Sequence, residues 1–332
     1  MSQISRQESS QSSWSEQSAG WLYAFWKFSR PHTVIGTSLS VLGLYLMALA
    51  IPSIGFSSTH LGQLFGAWIA CLCGNVYIVG LNQLEDVAID RINKPHLPLA
   101  AGEFSKSVAQ VIVAITGSLA LLLAWLLGPF LLGTVGISLV IGTAYSLPPI
   151  RLKRFPFWAA LCIFTVRGAI VNLGLFLHFS WVWQQNQSVP LSVWALTLFV
   201  LVFTFAIAIF KDIPDLEGDR QYNITTFTIV LGQRAAFNLA CWVLTVCYLG
   251  MALVGVLWLP SVNSVFLVMT HLLALGLMWW RSCALDLQEG GMTSLQPETL
   301  TPTPEAYVQF YQFIWKLFFL EYLIFPAACL LG

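Results

Sequence analysis

Charge is what this 332-residue chain most lacks: Asp, Glu, Lys and Arg together make up 9% of it, against about 25% in a soluble domain. With 57% of its residues hydrophobic, most of the chain cannot face water. The 15 basic and 15 acidic residues cancel, so bulk charge offers no argument for a nucleic-acid partner. Metal-binding cysteine patterns are missing too. The seven cysteines form no CxxC and no Cys/His spacing and mostly lie in apolar runs, which makes them small buried hydrophobes and not a disulfide framework or a zinc site. The N-terminal stretch is rich in Ser and Gln and has no apolar h-region, which excludes a secretory signal and argues against an organelle transit peptide. Residues 1–20 read as a disordered tail ahead of a single membrane domain at 21–332.

Apolar runs are what the chain has in abundance. Nine stretches approach the roughly 20 residues needed to cross hydrocarbon: 33–52, 59–81, 107–127, 130–147, 157–180, 190–210, 235–257, 264–281 and 308–331. The fold class is therefore an all-α membrane protein with nine transmembrane helices. Of the 15 basic residues, 13 fall on the face shared by the N-terminus and the connectors after spans 2, 4, 6 and 8, while Arg167 and Lys316 lie within spans and the opposite face has none. The positive-inside rule puts that face, and the N-terminus, in the cytoplasm. Acidic residues obey no such rule, yet 14 of 15 share the same face, Glu321 in the last span being the exception. A polar chamber on the cytoplasmic side is the expectation.

Two segments on that face match each other. After span 2 the chain reads NQLEDVAIDRINKPHLPLAAGEFS (82–105), and after span 6 KDIPDLEGDRQYNITTFTIVLGQR (211–234). Each holds a DxxxD, Asp86 with Asp90 and Asp215 with Asp219, and corresponding aspartates are 129 residues apart, a weak repeat at four-span spacing. If each span continues as a helix, carboxylates four apart share a face and repel by roughly 0.2–0.5 kcal/mol without a cation between them. Mg²⁺ suits such a place, because it takes one or two carboxylates and completes its shell with water and substrate phosphates. A solvated helix end would explain one DxxxD, but two at equivalent positions favour metal.

The predicted catalytic and metal-binding set is Asp86, Asp90, Asp215 and Asp219, with Asp212 beside them. Asn82 precedes Asp86 by one helical turn, and Lys211 holds the equivalent place in the second segment. A reaction that releases diphosphate needs cations to neutralise it, and Arg91, Lys94, Lys211, Arg151 and Lys153 are the candidates; Arg151 and Lys153 serve equally well as ordinary positive-inside anchors. Pro95 and Pro98 cannot continue a helix, so 93–102 is expected as a loop over the site. Within spans, Arg167 is expected to line the chamber and Lys316 to pair with Glu321 or reach an interface, since ionisable groups in hydrocarbon are costly. His32, in RPHT at the mouth of span 1, and Tyr145 are candidates for contacting an acceptor or shielding a cation; a lone His is as readily structural.

With both aspartate segments placed after spans 2 and 6 of nine, residues 21–332 resemble the UbiA superfamily of intramembrane prenyltransferases. The wording NQLEDVAIDRINKPHLPLAAGE with KDIPDLEGD is similar to the homogentisate prenyltransferase branch, and differs from chlorophyll synthases, whose loop has an NEP and RPIPSG style. The resemblance implies a UbiA-type bundle, a Mg²⁺ cofactor, and transfer of a prenyl chain, phytyl in the first instance, from its diphosphate to homogentisate. The acceptor's carboxyl would leave as CO₂ and the product would be a methyl-phytyl-benzoquinol of tocopherol synthesis. The implied setting is the plasma or thylakoid membrane of a cyanobacterium-like cell. Geranylgeranyl and solanesyl relatives share most of this wording, so donor length stays open, as do chlorophyll synthase and other aromatic polyprenyltransferases. A cation-coupled transporter is the alternative from another class, but transporter sites sit near the bilayer midplane and these carboxylates lie at span ends.

Overall fold

The computed structural model describes residues 20–51, 58–183, 188–221, 224–290 and 304–332. The tail expected at 1–20 falls outside these residues except for Gly20, which already opens a helix, and half of the 282–307 connector, 291–303, is likewise outside them. The described residues contain nine helices long and apolar enough to span a membrane, within a few residues of the expected positions.

In chain order the helices are α1 (20–28), α2 (Pro31–Leu49), α3 (Ser58–Glu85), α4 (Val87–Asn93), α5 (Lys106–Leu127), α6 (Pro129–Ser146), α7 (Pro156–Phe164), α8 (Val171–Val182), α9 (Leu191–Asp212), α10 (Leu216–Gln221), α11 (Phe227–Leu231), α12 (Gln233–Leu257), α13 (Ser264–Gly290) and α14 (Pro304–Leu330). A six-residue π-helical stretch, Thr165–Ile170, joins α7 to α8 into one span. Local chemistry sets several starts. Prolines open α2 and α6, where their missing N–H has no intrahelical partner to lose. Ser105 and Thr226 accept from the backbone N–H groups of Val108 and Ile229 to cap α5 and α11.

The main core is built on α9, whose inward side chains include the fully buried Phe199 and Phe203. Phe210 packs edge-on against Phe237 of α12, and Phe310 of α14 closes that cluster at 4.8 Å from the Phe237 ring. In lipid such packing acts through dispersion and shape, since leaving hydrocarbon gains nothing. A smaller cluster ties α1 to α3 and α5 through Phe28, Val76, Phe104 and Val113, and the buried Gln83 amide donates to the Phe28 carbonyl at 2.7 Å.

Two expectations are corrected here. The spans do not run on through the aspartate motifs. α3 stops at Glu85, Asp86 breaks the helix (φ −109°, ψ 15°) and α4 starts anew, while α9 stops at Asp212 and α10 begins at Leu216. Each motif therefore rides on its own short helix, and the four-residue geometry survives through Asp90 N–H to Asp86 O and Asp219 N–H to Asp215 O, 2.8 and 3.0 Å. Nor does Glu321 pair with Lys316. Five residues apart on a helix, the two point about 140° away from each other. Glu321 is buried against His271 of α13, Nε2 to Oε1 3.3 Å, and Lys316 is exposed.

Candidate active site

The break at Asp86 turns its carboxylate toward the connector after α6. Arg151 takes up a left-handed backbone (φ 39°) that a non-glycine residue adopts only when its surroundings enforce it, and its guanidinium donates to Asp86 Oδ1 at 3.1 Å. Lys153 Nζ lies 2.7 Å from Oδ2, and the Asn82 amide donates to the same oxygen at 3.0 Å. Burial pushes the Lys153 amine down, against the pull of Asp86.

The second motif meets the first directly. Lys94, just past α4, donates to Asp215 Oδ2 at 2.7 Å across 121 residues of sequence, and Asn93 Oδ1 accepts from the Gly218 backbone N–H at 3.1 Å. A Cβ at position 218 would stand 2.1 Å from that Asn93 oxygen, so only glycine permits the approach. Lys211 lies 3.2 Å from Asp212 and 3.9 Å from Asp215.

Asp90 and Asp219 are buried, and among the described residues no cation lies within ion-pair distance of either. Burial holds both above the ordinary carboxylate range, opposed for Asp90 by Arg30 and Lys94. Asp219 is pushed up to about 6, with Lys211 only partly offsetting its burial.

Tyr145, Tyr311 and Arg167 are half-buried and Lys211 keeps 44% of its side chain exposed, so these polar groups of α6, α14, the π-helical turn and α9 stay accessible. Arg167 stacks over Trp315, guanidinium carbon to ring centre 4.7 Å, and the His32 ring lies 4.9 Å from the same indole. Arg91 is exposed on α4, one residue and therefore about 100° round the helix from Asp90.

Two contributors went unmarked in the sequence. Arg30, counted only as a positive-inside residue, reaches Asn82 Oδ1 at 3.5 Å and is the largest charge opposing the burial of Asp90. Its place two residues before His32 was the available hint. Asn93 had no hint at all, because its partner is a backbone N–H 125 residues away.

The donor set fits Mg²⁺. All five aspartates offer hard oxygens, and two of them are buried without a cation. Among the described residues no three acidic, imidazole or thiol groups converge into a full cage.

Among the described residues, nine spans bring two aspartate pairs and several cations together, the architecture of an intramembrane prenyltransferase. The chain belongs to the UbiA prenyltransferase family, which it matches over residues 37–294. It is 53% identical to the homogentisate phytyltransferase of Synechocystis over 92% of this chain and 96% of that protein. It is 37% identical to the chloroplastic homogentisate solanesyltransferase of Arabidopsis thaliana, over 91% of this chain and 76% of that one. Among solved structures, a UbiA homologue from Archaeoglobus fulgidus bound to DMAPP and Mg²⁺ shares the fold with a TM-score of 0.57 at 16% identity, covering 91% of this chain and 99% of that chain.

Proposed function

We propose that this protein transfers a phytyl group from phytyl diphosphate to homogentisate, with loss of CO₂, to form 2-methyl-6-phytyl-1,4-benzoquinol. The observation that carries the reaction class is the joint between motifs: Lys94 on Asp215 and Asn93 on Gly218 hold the two aspartate pairs against one chamber. The substrate pair rests on the 53% identity to the Synechocystis homogentisate phytyltransferase.

In this reading Asp86, Asp90, Asp212, Asp215 and Asp219, with Asn82, hold Mg²⁺. Bound Mg²⁺ neutralises the diphosphate oxygens as charge develops on them. Lys94, Arg151, Lys153 and Lys211, which now neutralise the carboxylates pairwise, turn to the same oxygens. The C–O bond breaks with its electron pair leaving on diphosphate, and the allylic cation is attacked by the ring of homogentisate. The ring carbon then loses its proton, and the side chain loses CO₂ while its methylene carbon takes up a proton to become methyl. Tyr145, in the chamber wall near Lys211 and Asp86, offers an aromatic face to the cation. Exclusion of water by the enclosed chamber prevents capture of the cation as an alcohol. Residues 21–332 act as one unit, with the chamber opening to the cytoplasm.

The test incubates membranes carrying the chain with homogentisate, Mg²⁺ and, separately, phytyl, geranylgeranyl or solanesyl diphosphate, and identifies the lipid products by mass spectrometry. A decarboxylated phytyl quinol that disappears with EDTA or with Asp86→Ala supports the reading. Preference for a longer donor would favour the second reading, suggested by the solanesyltransferase relative. No product with any of the three donors overturns it.

A further inference from the structure

Arg167 is the charged side chain that the diphosphate chemistry leaves unused. It lies ten residues beyond Phe157, where its span begins, in a region where a guanidinium is costly unless it has work or a partner. The backbone there is the π-helical stretch Thr165–Ile170, a distortion that recurs at functional positions. Its neighbour Gly168 is pressed against α9, where a Cβ would come 2.4 Å from Leu201, so the distorted turn is held in place.

Two aromatic rings flank the guanidinium, and among the described residues nothing accepts from its N–H groups. Trp315 lies at 4.7 Å and Phe318 at 5.7 Å, contacts made through the ring faces that leave the N–H groups free. Among the described residues no carboxylate stands within ion-pair distance of Arg167, and no hydrogen-bond acceptor is on its N–H groups. Its electrostatic neighbours are Tyr311 and Tyr322, not the aspartates. The Trp315 ring that carries Arg167 also touches His32, and Arg30, two residues before His32, reaches Asn82 beside Asp86. Arg167 therefore sits one layer beyond the diphosphate cations.

We propose that Arg167 is the receptor for the carboxylate of the aromatic acceptor, next to the contact between Trp315 and His32. This rests on the function proposed above and adds the subsite that selects the acceptor. The diphosphate has its own cations, so the carboxylate is the anion left for an isolated guanidinium. The planar fork of Arg matches a carboxylate with two parallel hydrogen bonds, and the contact with Trp315 at 4.7 Å restrains the guanidinium.

The experiment uses the full chain purified in nanodiscs with Mg²⁺ and phytyl diphosphate, comparing wild type, Arg167→Gln and Arg167→Lys. Binding of labelled homogentisate and of its neutral methyl ester is measured, along with KM for both substrates. Arg167→Gln is expected to weaken homogentisate binding about tenfold to a hundredfold, the value of a charge-assisted hydrogen-bonded contact, with ester binding and the KM for phytyl diphosphate unchanged. Arg167→Lys, which keeps the charge and loses the fork, falls between and serves alone if the Gln variant does not purify folded. A wild type that prenylates homogentisate while the variants bind it normally overturns the inference alone, as does a parallel loss of phytyl diphosphate affinity. A wild type that neither binds nor prenylates homogentisate overturns the acceptor reading and the inference together.

Discussion

Asp86 is the most heavily contacted carboxylate of the site, held by Arg151, Lys153 and Asn82. Asp86→Asn keeps the shape and removes the charge, leaving two cations facing a neutral amide. Prenyl transfer should fall by about a hundredfold or more, with about 1–3 kcal/mol lost in thermal stability; an unaltered rate would remove Asp86 from the metal set. Asp219 carries a pH dependence. Its folded value, raised to about 6 by burial, lies above that of a free carboxyl, so the metal-free protein gains stability from this group as pH falls through about 6 and loses it as pH rises. Mg²⁺ needs the ionised form, so the Mg²⁺ concentration for half-maximal activity should climb about tenfold per unit below pH 6 and stay level above it. Kinetics from about pH 5 to 8, with Asp219→Asn as the comparison, check this. The buried His271–Glu321 pair is a structural matter between α13 and α14. Glu321→Leu alone should destabilise by about 3–5 kcal/mol, and the double change with His271→Leu should recover most of it, since replacing both members of a buried pair removes the unpaired charge. Detergent-phase melting curves measure both.

At the scale of elements, α4 and α10 matter most, two short helices that carry the aspartates across the ends of α3 and α9. Their alignment depends on Asn93 and Gly218. In Gly218→Ala the new methyl displaces the Asn93 side chain, which swings away and gives up its hydrogen bond. Activity should drop about tenfold while stability changes by less than about 1 kcal/mol, a split that enzyme assay and melting curve together would reveal. The spans themselves were plain in the sequence, because about 20 apolar residues in a row have only one use. The break at Asp86 was not. DxxxD fits one face of a continuous helix as well as it fits the first turn of a new one, and the partners that meet Asp86 at the break, Arg151 and Lys153, come from elsewhere in the chain. The same limit hid the partner of Glu321: Lys316 was close in sequence, His271 was close in space.

At the scale of the whole molecule, the sorting of charge is the organising fact. The positive-inside rule predicts an orientation that direct measurement tests. A cysteine placed at the exposed Lys106 should react with a membrane-impermeant thiol reagent only when the cytoplasmic face is accessible, and one placed at the exposed Ser261 only from the opposite side. Reversed labelling would invert the topology. The sequence by itself determined the nine spans, the sorting of charge and the two aspartate pairs, because hydrophobic length, charge asymmetry and a repeated motif are properties of local stretches of chain. Only the tertiary structure decided that Lys94 crosses to Asp215, that Arg30 and Asn93 join the site, and that Arg167 lies over Trp315 with no anion beside it among the described residues. Those are distances between residues far apart in the chain, and they are set by how the helices pack.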